Sequence, residues 1–264
     1  MPRKPAHSDS TGRLPCGSEY TPCARERRTF APVSGSSARK CKSALLHFAR
    51  STSPRKRFIL FDFDGVIADS YATALSVSQK MCTRITSSEY NRAFEGNVND
   101  WKWESLPGNH VECRHDLDWF AEYVPAFEKE AQPFTGMDQI IETLSKEYVL
   151  IVISSTITSP IQGFLEKYHL GRYFSEVMGN DVHTHKTEKI RMVFEKYATS
   201  ASECVFVTDS LGDMREANSM NVGSIGVSWG WHSHEILKKG NPFCIVNTPT
   251  EIPPAIHDYF ADQL

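Results

Sequence analysis

The stretch that most constrains this chain is Phe58-Ile59-Leu60-Phe61-Asp62-Phe63-Asp64-Gly65-Val66. An apolar run ends there in two carboxylates one residue apart, followed at once by glycine. The run is short, apolar at successive positions and closed by a breaker, which reads as a strand buried on both faces in a parallel sheet. Charge beside a core is costly unless something pairs with it. In open α/β sheets, ligands bind at the carboxyl ends of the strands. Alternation along a strand puts Asp62 and Asp64 on the same side. Two acids in that place point to a metal and a reaction rather than to packing.

The chain beyond Gly65 separates into two kinds of pattern. It first turns helical, with Ala72, Leu75, Gln79 and Cys82 on one face. Thr86-Ser87-Ser88-Glu89 forms a capping-box sequence that opens a second helix toward Gly96. Asn97 to His115 reads as loop, and a third helix carries Leu117, Phe120, Val124 and Phe127 at helical spacing. No strand is expected between about Asp69 and Gln132. From Pro133 strands and helices alternate. Gly136 precedes a helix with Ile140, Ile141 and Leu144, and a strand runs from Tyr148 to Ile153 into Ser154-Ser155. Ser159-Pro160 is read as N-cap and first turn of a helix bearing Phe164, Leu165 and Tyr168, which Gly171 stops. A helix over Thr187 to Tyr197, a strand over Cys204 to Thr208, a helix over Met214 to Met220, and strands at Ser224 to Val227 and Phe243 to Val246 complete the series. Such alternation means α/β architecture: a Rossmann-like parallel sheet with helices on both faces, and a small all-helical segment inserted after the first strand. The division expected is a leader over 1–56, an α/β core over 57–68 and 133–264, and a helical cap over 69–132.

The net charge of −3 hides an asymmetry. Residues 1–57 hold thirteen Lys and Arg against three acids, or +10, and the remainder carries −13. The leader is rich in Ser, Pro and Gly and reads as disordered. An organelle transit peptide, a nucleic-acid-binding arm and a non-native upstream extension all fit it. Seven scattered cysteines, never spaced C-x-x-C, argue against a disulfide framework or a structural zinc site and for a reducing compartment. The cytoplasm is therefore expected, or an organelle if the leader is a transit peptide. No apolar run approaches the ~20 residues of a membrane span. Neither a membrane nor a nucleic-acid partner is expected, and oligomeric state is left open.

Three strands end in chemistry: Asp62 and Asp64, then Ser154 and Ser155, then Asp209, Ser210 and Asp213, with Lys186 in the connection between the second and third. A lone Asp after a strand is usually a turn former. A pair converging with a third acid from another strand repels unless a divalent cation neutralises it, and carboxylate oxygens favour Mg²⁺. His183-x-His185 and His232-x-His234 lack the spacing of a helical zinc pair and read as loop polarity. Trp229-Gly230-Trp231 lines a cleft or packs. Arg84, Arg92, Asn97, Trp101, Lys102 and Arg114 are the candidates for gripping the far end of a substrate.

Over about residues 57–250 the chain resembles a haloacid dehalogenase (HAD) superfamily hydrolase, of the branch with a helical cap to which phosphoglycolate phosphatases and beta-phosphoglucomutases belong. Phe61-Asp62-Phe63-Asp64-Gly65-Val66 is similar to the first motif of that family and Ile151-Val152-Ile153-Ser154 to the second. Lys186 fits the third, and Val207-Thr208-Asp209-Ser210-Leu211-Gly212-Asp213 the fourth. Thr208 stands where Gly is usual, and Thr187 where Pro is common, which leaves Lys189 as a competitor to Lys186. The resemblance implies a Mg²⁺-dependent phosphoric monoester hydrolase acting on a small phosphorylated metabolite. Asp62 would be the nucleophile and Asp64 the general acid and base, through an aspartyl-phosphate. Asp62, Asp64 (by its peptide carbonyl) and Asp209 would hold the metal. Ser154, Ser155 and Lys186 would hold the phosphate, and Asp213 would orient Lys186 or a metal-bound water. Phosphoglycolate is the substrate guess on family frequency, with a phosphomutase or a catalytically silent binding protein as alternatives.

Overall fold

A computed structural model describes residues 56–102, 113–114 and 117–263 of the chain; the leader reading, and Trp103 with most of the loop after it, lie outside the described residues. Eight strands and nine α-helices are described. The first strand, β1 (Phe58–Phe61), is buried at all four positions. A turn and a short strand β2 (Ala68–Asp69) follow, then helices α1 (Tyr71–Met81), α2 (Ser87–Arg92) and α3 (Trp119–Glu130) and a strand β3 (Gln132–Pro133). The alternating part runs α4 (Met137–Ser145), β4 (Val149–Ile153), α5 (Thr158–Lys167), β5 (Phe174–Met178), α6 (Lys186–Tyr197), β6 (Cys204–Thr208), α7 (Leu211–Ser219), β7 (Gly223–Val227), α8 (His234–Leu237), β8 (Cys244–Val246) and α9 (Ile252–Asp262).

Six strands form one parallel sheet in the order β5-β4-β1-β6-β7-β8, as the repeated strand–helix pattern requires. The first strand is therefore central, paired with β4 on one side and β6 on the other. The chain builds outward to β5, then returns across β1 to lay down β6. That reversal makes the carboxyl end of β1 the switch point, where such sheets open a crevice. Alternation sends Ile59 and Phe61 to one face, where Met137, Ile141, Phe164, Ile252 and Ile256 cover them. Phe58 and Leu60 go to the other, against Ile190, Val193 and Ala217. Each such side chain, fully buried, contributes about 1.5–3 kcal/mol. The apolar run is thus held from both sides, and its acidic end is fixed in place.

The short strands β2 and β3 pair antiparallel through Ala68 with Pro133 and Asp69 with Gln132. They stand at the two roots of the helical insertion. Within it the Thr86 capping box is present, with the Thr86 hydroxyl accepting from Glu89 N and the Glu89 carboxylate accepting from Thr86 N.

Several sequence expectations need correction. The first inserted helix buries Thr73, Ala74, Val77, Ser78 and Met81, not the Ala72–Gln79 face, because it has to cover the strand end as well as α3. Trp119 begins α3, which turns Tyr123 and Phe127 inward rather than Phe120 and Val124. The helix after β4 starts at Thr158, one residue before Ser159-Pro160, and its Thr158 hydroxyl bonds to Asp181. It ends before His169, whose φ of 60° makes the turn assigned to Gly171. The edge strand β5 is an addition to the expected series, since Ser175 and Glu176 interrupt its apolar pattern. The helices α8 and α9 and the short strands β2 and β3 are further additions. Cys82 and Cys113 are disulfide-bonded, against the expectation from cysteine spacing; their sequence separation of 31 residues hides the pairing. Among the described residues, no helix is long and apolar enough to cross a membrane.

Candidate active site

Asp62 extends β1 by one residue, its N–H donating to Val207 O at 2.9 Å. Ser154 extends β4 in the same way, bonding to Met178 O at 3.0 Å. Both side chains therefore inherit the rigidity of central strands. After Asp64 the backbone folds back sharply, with Ile67 N and Ala68 N both donating to Phe63 O. Gly65 makes the turn at φ 74°, and a Cβ there would lie 2.0 Å from Asp209 Oδ2. Gly230 is equally confined, since a Cβ on it would come within 2.1 Å of the same oxygen. These glycines let the Asp209 carboxylate sit directly against the two loops.

The lysine of α6 joins the acids. Lys186 Nζ lies 2.8 Å from Asp62 Oδ1 and 2.7 Å from Asp213 Oδ2, with all three residues buried. Burial opposes its charge, but the two carboxylates outweigh that and raise its pKa above the ordinary lysine value, so it stays an ammonium. Asp213 is held below the usual carboxylate range: burial raises it, and Lys186 with the Thr208 hydroxyl more than reverses the effect. Lys189, the sequence competitor, reaches elsewhere. Its ammonium donates to Ser154 O at 2.6 Å and Gly179 O at 3.2 Å, tying the loops after β4 and β5 together.

Thr208, the departure from the family pattern, has a visible role. Its hydroxyl donates to Asp213 Oδ2 at 2.7 Å and accepts from Ser210 N at 3.1 Å. Ser210 caps α7 by accepting from Asp213 N. Glu216, further along α7, accepts from Lys186 N at 2.8 Å and from Asn97 Nδ2 at 3.2 Å. A carboxylate at the start of α6 suits the partial positive charge there, and it fixes the backbone that carries Lys186.

Asp64 points away from this group. Its Oδ1 accepts from Ser70 Oγ and Tyr123 OH, each at 2.7 Å, and its Oδ2 from Thr156 Oγ1 at 2.7 Å. Two of these donors come from the insertion. Sequence reasoning missed Ser70, Tyr123, Thr156 and Glu216, although Tyr123 is one position from the expected inward face of its helix. His232 also joins the two parts. Its Nδ1 accepts from Leu211 N at 2.9 Å, and its Nε2 meets Asn91 O at 2.9 Å. That contact fixes the tautomer with the proton on Nε2. Neither His-x-His pair forms a metal cluster among the described residues.

Two buried carboxylates of the site could hold a divalent cation. Asp62 and Asp209 are buried carboxylates whose pKa values burial pushes up, that of Asp209 to about 7. Lys186 offsets part of the effect on Asp62, while Asp213 and Asp209 add to it. A bound cation would remove that penalty. Among the described residues no group of three His, Cys, Asp or Glu side chains is arranged to hold a metal. The Asp64 carboxylate is already engaged by three hydroxyls, which leaves Asp62 and Asp209 as the carboxylates that could hold a cation.

The acids and Lys186 face one cavity of about 270 Å³, bounded by Asp62, Asp64, Ser154, Ser155, Lys186 and Asp209 on the strand side and by the insertion on the other. Of the six residues considered as far-end grips, Asn97 and Trp101 line it; Arg84, Arg92, Lys102 and Arg114 are exposed and do not. Trp231 lines it too, while Trp229 packs its indole N–H toward Val66 O.

The family model for haloacid dehalogenase-like hydrolases matches residues 59–227, and the chain belongs to that family. It is 24% identical to a probable phosphatase, IndB, of Dickeya dadantii, over 76% of this chain and 94% of that protein. It is 22% identical to a phosphoglycolate phosphatase of Pseudomonas fluorescens, over 78% of this chain and 82% of that one. Among solved structures, a predicted phosphatase from Clostridium acetobutylicum aligns with a TM-score of 0.61 at 22% identity, covering 78% of this chain and all of that one. A haloacid dehalogenase-like hydrolase from Streptococcus pneumoniae aligns with a TM-score of 0.60 at 18% identity, over 76% and 98%. At these identities the structural likeness concerns the fold.

Proposed function

We propose that the protein is a Mg²⁺-dependent phosphatase that hydrolyses small phosphate monoesters through a phosphorylated Asp62. The observation that carries the reading is the division of labour between the two acids of one motif. Asp62 is paired with a buried ammonium, and Asp64, two residues on, is held apart by three hydroxyls.

In this reading Asp62 Oδ attacks phosphorus, a P–O bond to Asp62 forms, and the bond to the leaving oxygen breaks. Asp64, entering the step in its protonated form, gives the leaving oxygen that proton, then as the carboxylate takes one from the water that attacks the acyl phosphate and returns to the protonated form. Lys186 keeps charge balanced as negative charge moves from Asp62 to the phosphoryl group. Ser154 accepts from Thr156 N at 3.0 Å, which leaves its hydroxyl hydrogen to donate to a phosphoryl oxygen. Asp62, Asp209 and the Asp64 carbonyl are the residues to hold Mg²⁺, which when bound screens the charge of one anion attacking another. The segment over 69–132 serves as a cap that excludes water from the reaction, and its Tyr123 and Ser70 hydroxyls fix the acid.

The test is phosphate release from a panel of phosphate monoesters with Mg²⁺, with excess chelator, and with Asp62→Asn. Release that needs both the cation and Asp62 supports the reading, and release unaffected by either overturns it.

A further inference from the structure

The cavity's charge and its walls narrow the substrate class within the phosphatase reading, on which this inference rests. Five carboxylates line it, Asp62, Asp64, Asp209, Asp213 and Glu216, against one ammonium, Lys186. That ammonium is already shared between Asp62 and Asp213. Beyond the phosphate end, the insertion contributes Met81, Phe94, Val98, Trp101, Trp119 and Phe120. Trp119 stacks on Tyr123 with ring centroids 4.3 Å apart, and Phe94 packs on Trp231 at 5.7 Å. No arginine or lysine of the insertion lines the cavity among the described residues.

Asn97, Asn99 and Ser78 in that half are occupied, while the buried Trp231 indole N–H beside Phe94 has no partner among the described residues. Asn97 Nδ2 donates to Thr184 O and Glu216 Oε1, and Asn99 Nδ2 to Asn97 Oδ1 and Thr184 O. Ser78 Oγ accepts from the Trp119 indole at 3.0 Å. A substrate carboxylate one methylene beyond the ester oxygen, as in phosphoglycolate, would meet a wall on which, among the described residues, no lysine or arginine besides the shared Lys186 stands to pair with it. Burying an unpaired charge is strongly unfavourable, and leaving sugar hydroxyls unbonded also costs affinity. A volume of about 270 Å³ is at the small end of ligand pockets, which suits a leaving group of about one ring.

We propose that the preferred substrates are phosphate monoesters of small apolar alcohols, aromatic ones above all. The aromatic wall would receive the leaving group, and the absence of a lysine or arginine on that wall among the described residues would disfavour a second anionic group there.

The experiment compares phosphate release by the full chain with Mg²⁺ from benzyl phosphate, 2-phosphoglycolate and glucose 6-phosphate. Binding of benzylphosphonate and phosphonoacetate is followed in parallel by the fluorescence of Trp101, Trp119 and Trp231. The expected result is a kcat/KM for benzyl phosphate at least ~10-fold above both others, an apolar side chain's contribution being of that order. Benzylphosphonate should also bind the tighter of the two phosphonates. Phe120→Arg should shrink the preference over phosphoglycolate by supplying the missing cation. Equal or better turnover of phosphoglycolate or glucose 6-phosphate overturns this inference and leaves the phosphatase reading standing. Tighter benzylphosphonate binding with no phosphate released from any ester overturns the phosphatase reading and upholds the apolar pocket. Phosphonates bound equally overturn the pocket assignment.

Discussion

Tyr123 OH donates to Asp64 Oδ1 across 2.7 Å, joining a residue of the helical insertion to the acid that follows β1. The tyrosine is buried, and its pKa is raised well above the ordinary value by burial and by the Asp64 charge, so it remains a donor throughout the working range. Removing the hydroxyl by Tyr123→Phe takes one of three bonds from the carboxylate without emptying the core. A hydrogen bond to a charged group is worth about 1.5–3 kcal/mol, so kcat should fall about 10- to 100-fold. KM should change little, and the variant should remain folded by circular dichroism. A kcat within twofold of the parent would mean that Asp64 does not depend on this contact.

Thr208 gives a second test, because the hydroxyl that departs from the family pattern holds Asp213. Thr208→Val leaves Ser210 N and Asp213 short of a partner inside the core. The expected loss is about 1–3 kcal/mol in denaturant midpoint stability, together with lower activity from a looser Asp213–Lys186 pair. Thr208→Ser should restore both. If the valine variant matched the parent, the hydroxyl would have no positioning role.

Lys189 connects charge to pH. Burial, then the neighbouring Lys186, lowers its pKa to about 8, while Asp62, Asp213 and Glu216 pull the other way. The ordinary lysine value is about 10.4, so between about pH 8 and 10 the unfolded chain binds more protons at this site than the folded one. Stability from this group therefore rises with pH across that window, by up to about 1.4 kcal/mol per pH unit. Below pH 8 both states are protonated and its contribution is flat. Urea unfolding of the parent and of Lys189→Met from pH 7.5 to 10 should show the parent gaining on the variant. A constant difference would contradict the depressed value.

Much of the fold is legible in the sequence because its signals are local. The apolar run at 58–61 and the strand–helix alternation after Pro133 follow from side-chain period alone. The edge strand Phe174–Met178 is not legible, since one neighbouring strand and a half-exposed face leave little apolar pattern to read. For the site, the residues placed at strand ends are brought together by the sheet order, with Lys186 rather than Lys189 on Asp62. Tyr123, Thr156 and Glu216 stay hidden because their partners lie 59, 92 and 30 residues away in sequence. Nothing in a helical run marks which tyrosine will meet a carboxylate across the cavity.

The central claim is that the Asp62 carboxylate carries the phosphoryl group. It is tested most directly by rapid acid quench during turnover, borohydride reduction of any acyl phosphate, and peptide mass spectrometry. Homoserine is expected at position 62, and none in the absence of substrate or in Asp62→Asn. Phosphate released at the parent rate with Asp62 unmodified, or label found on another residue, would contradict it.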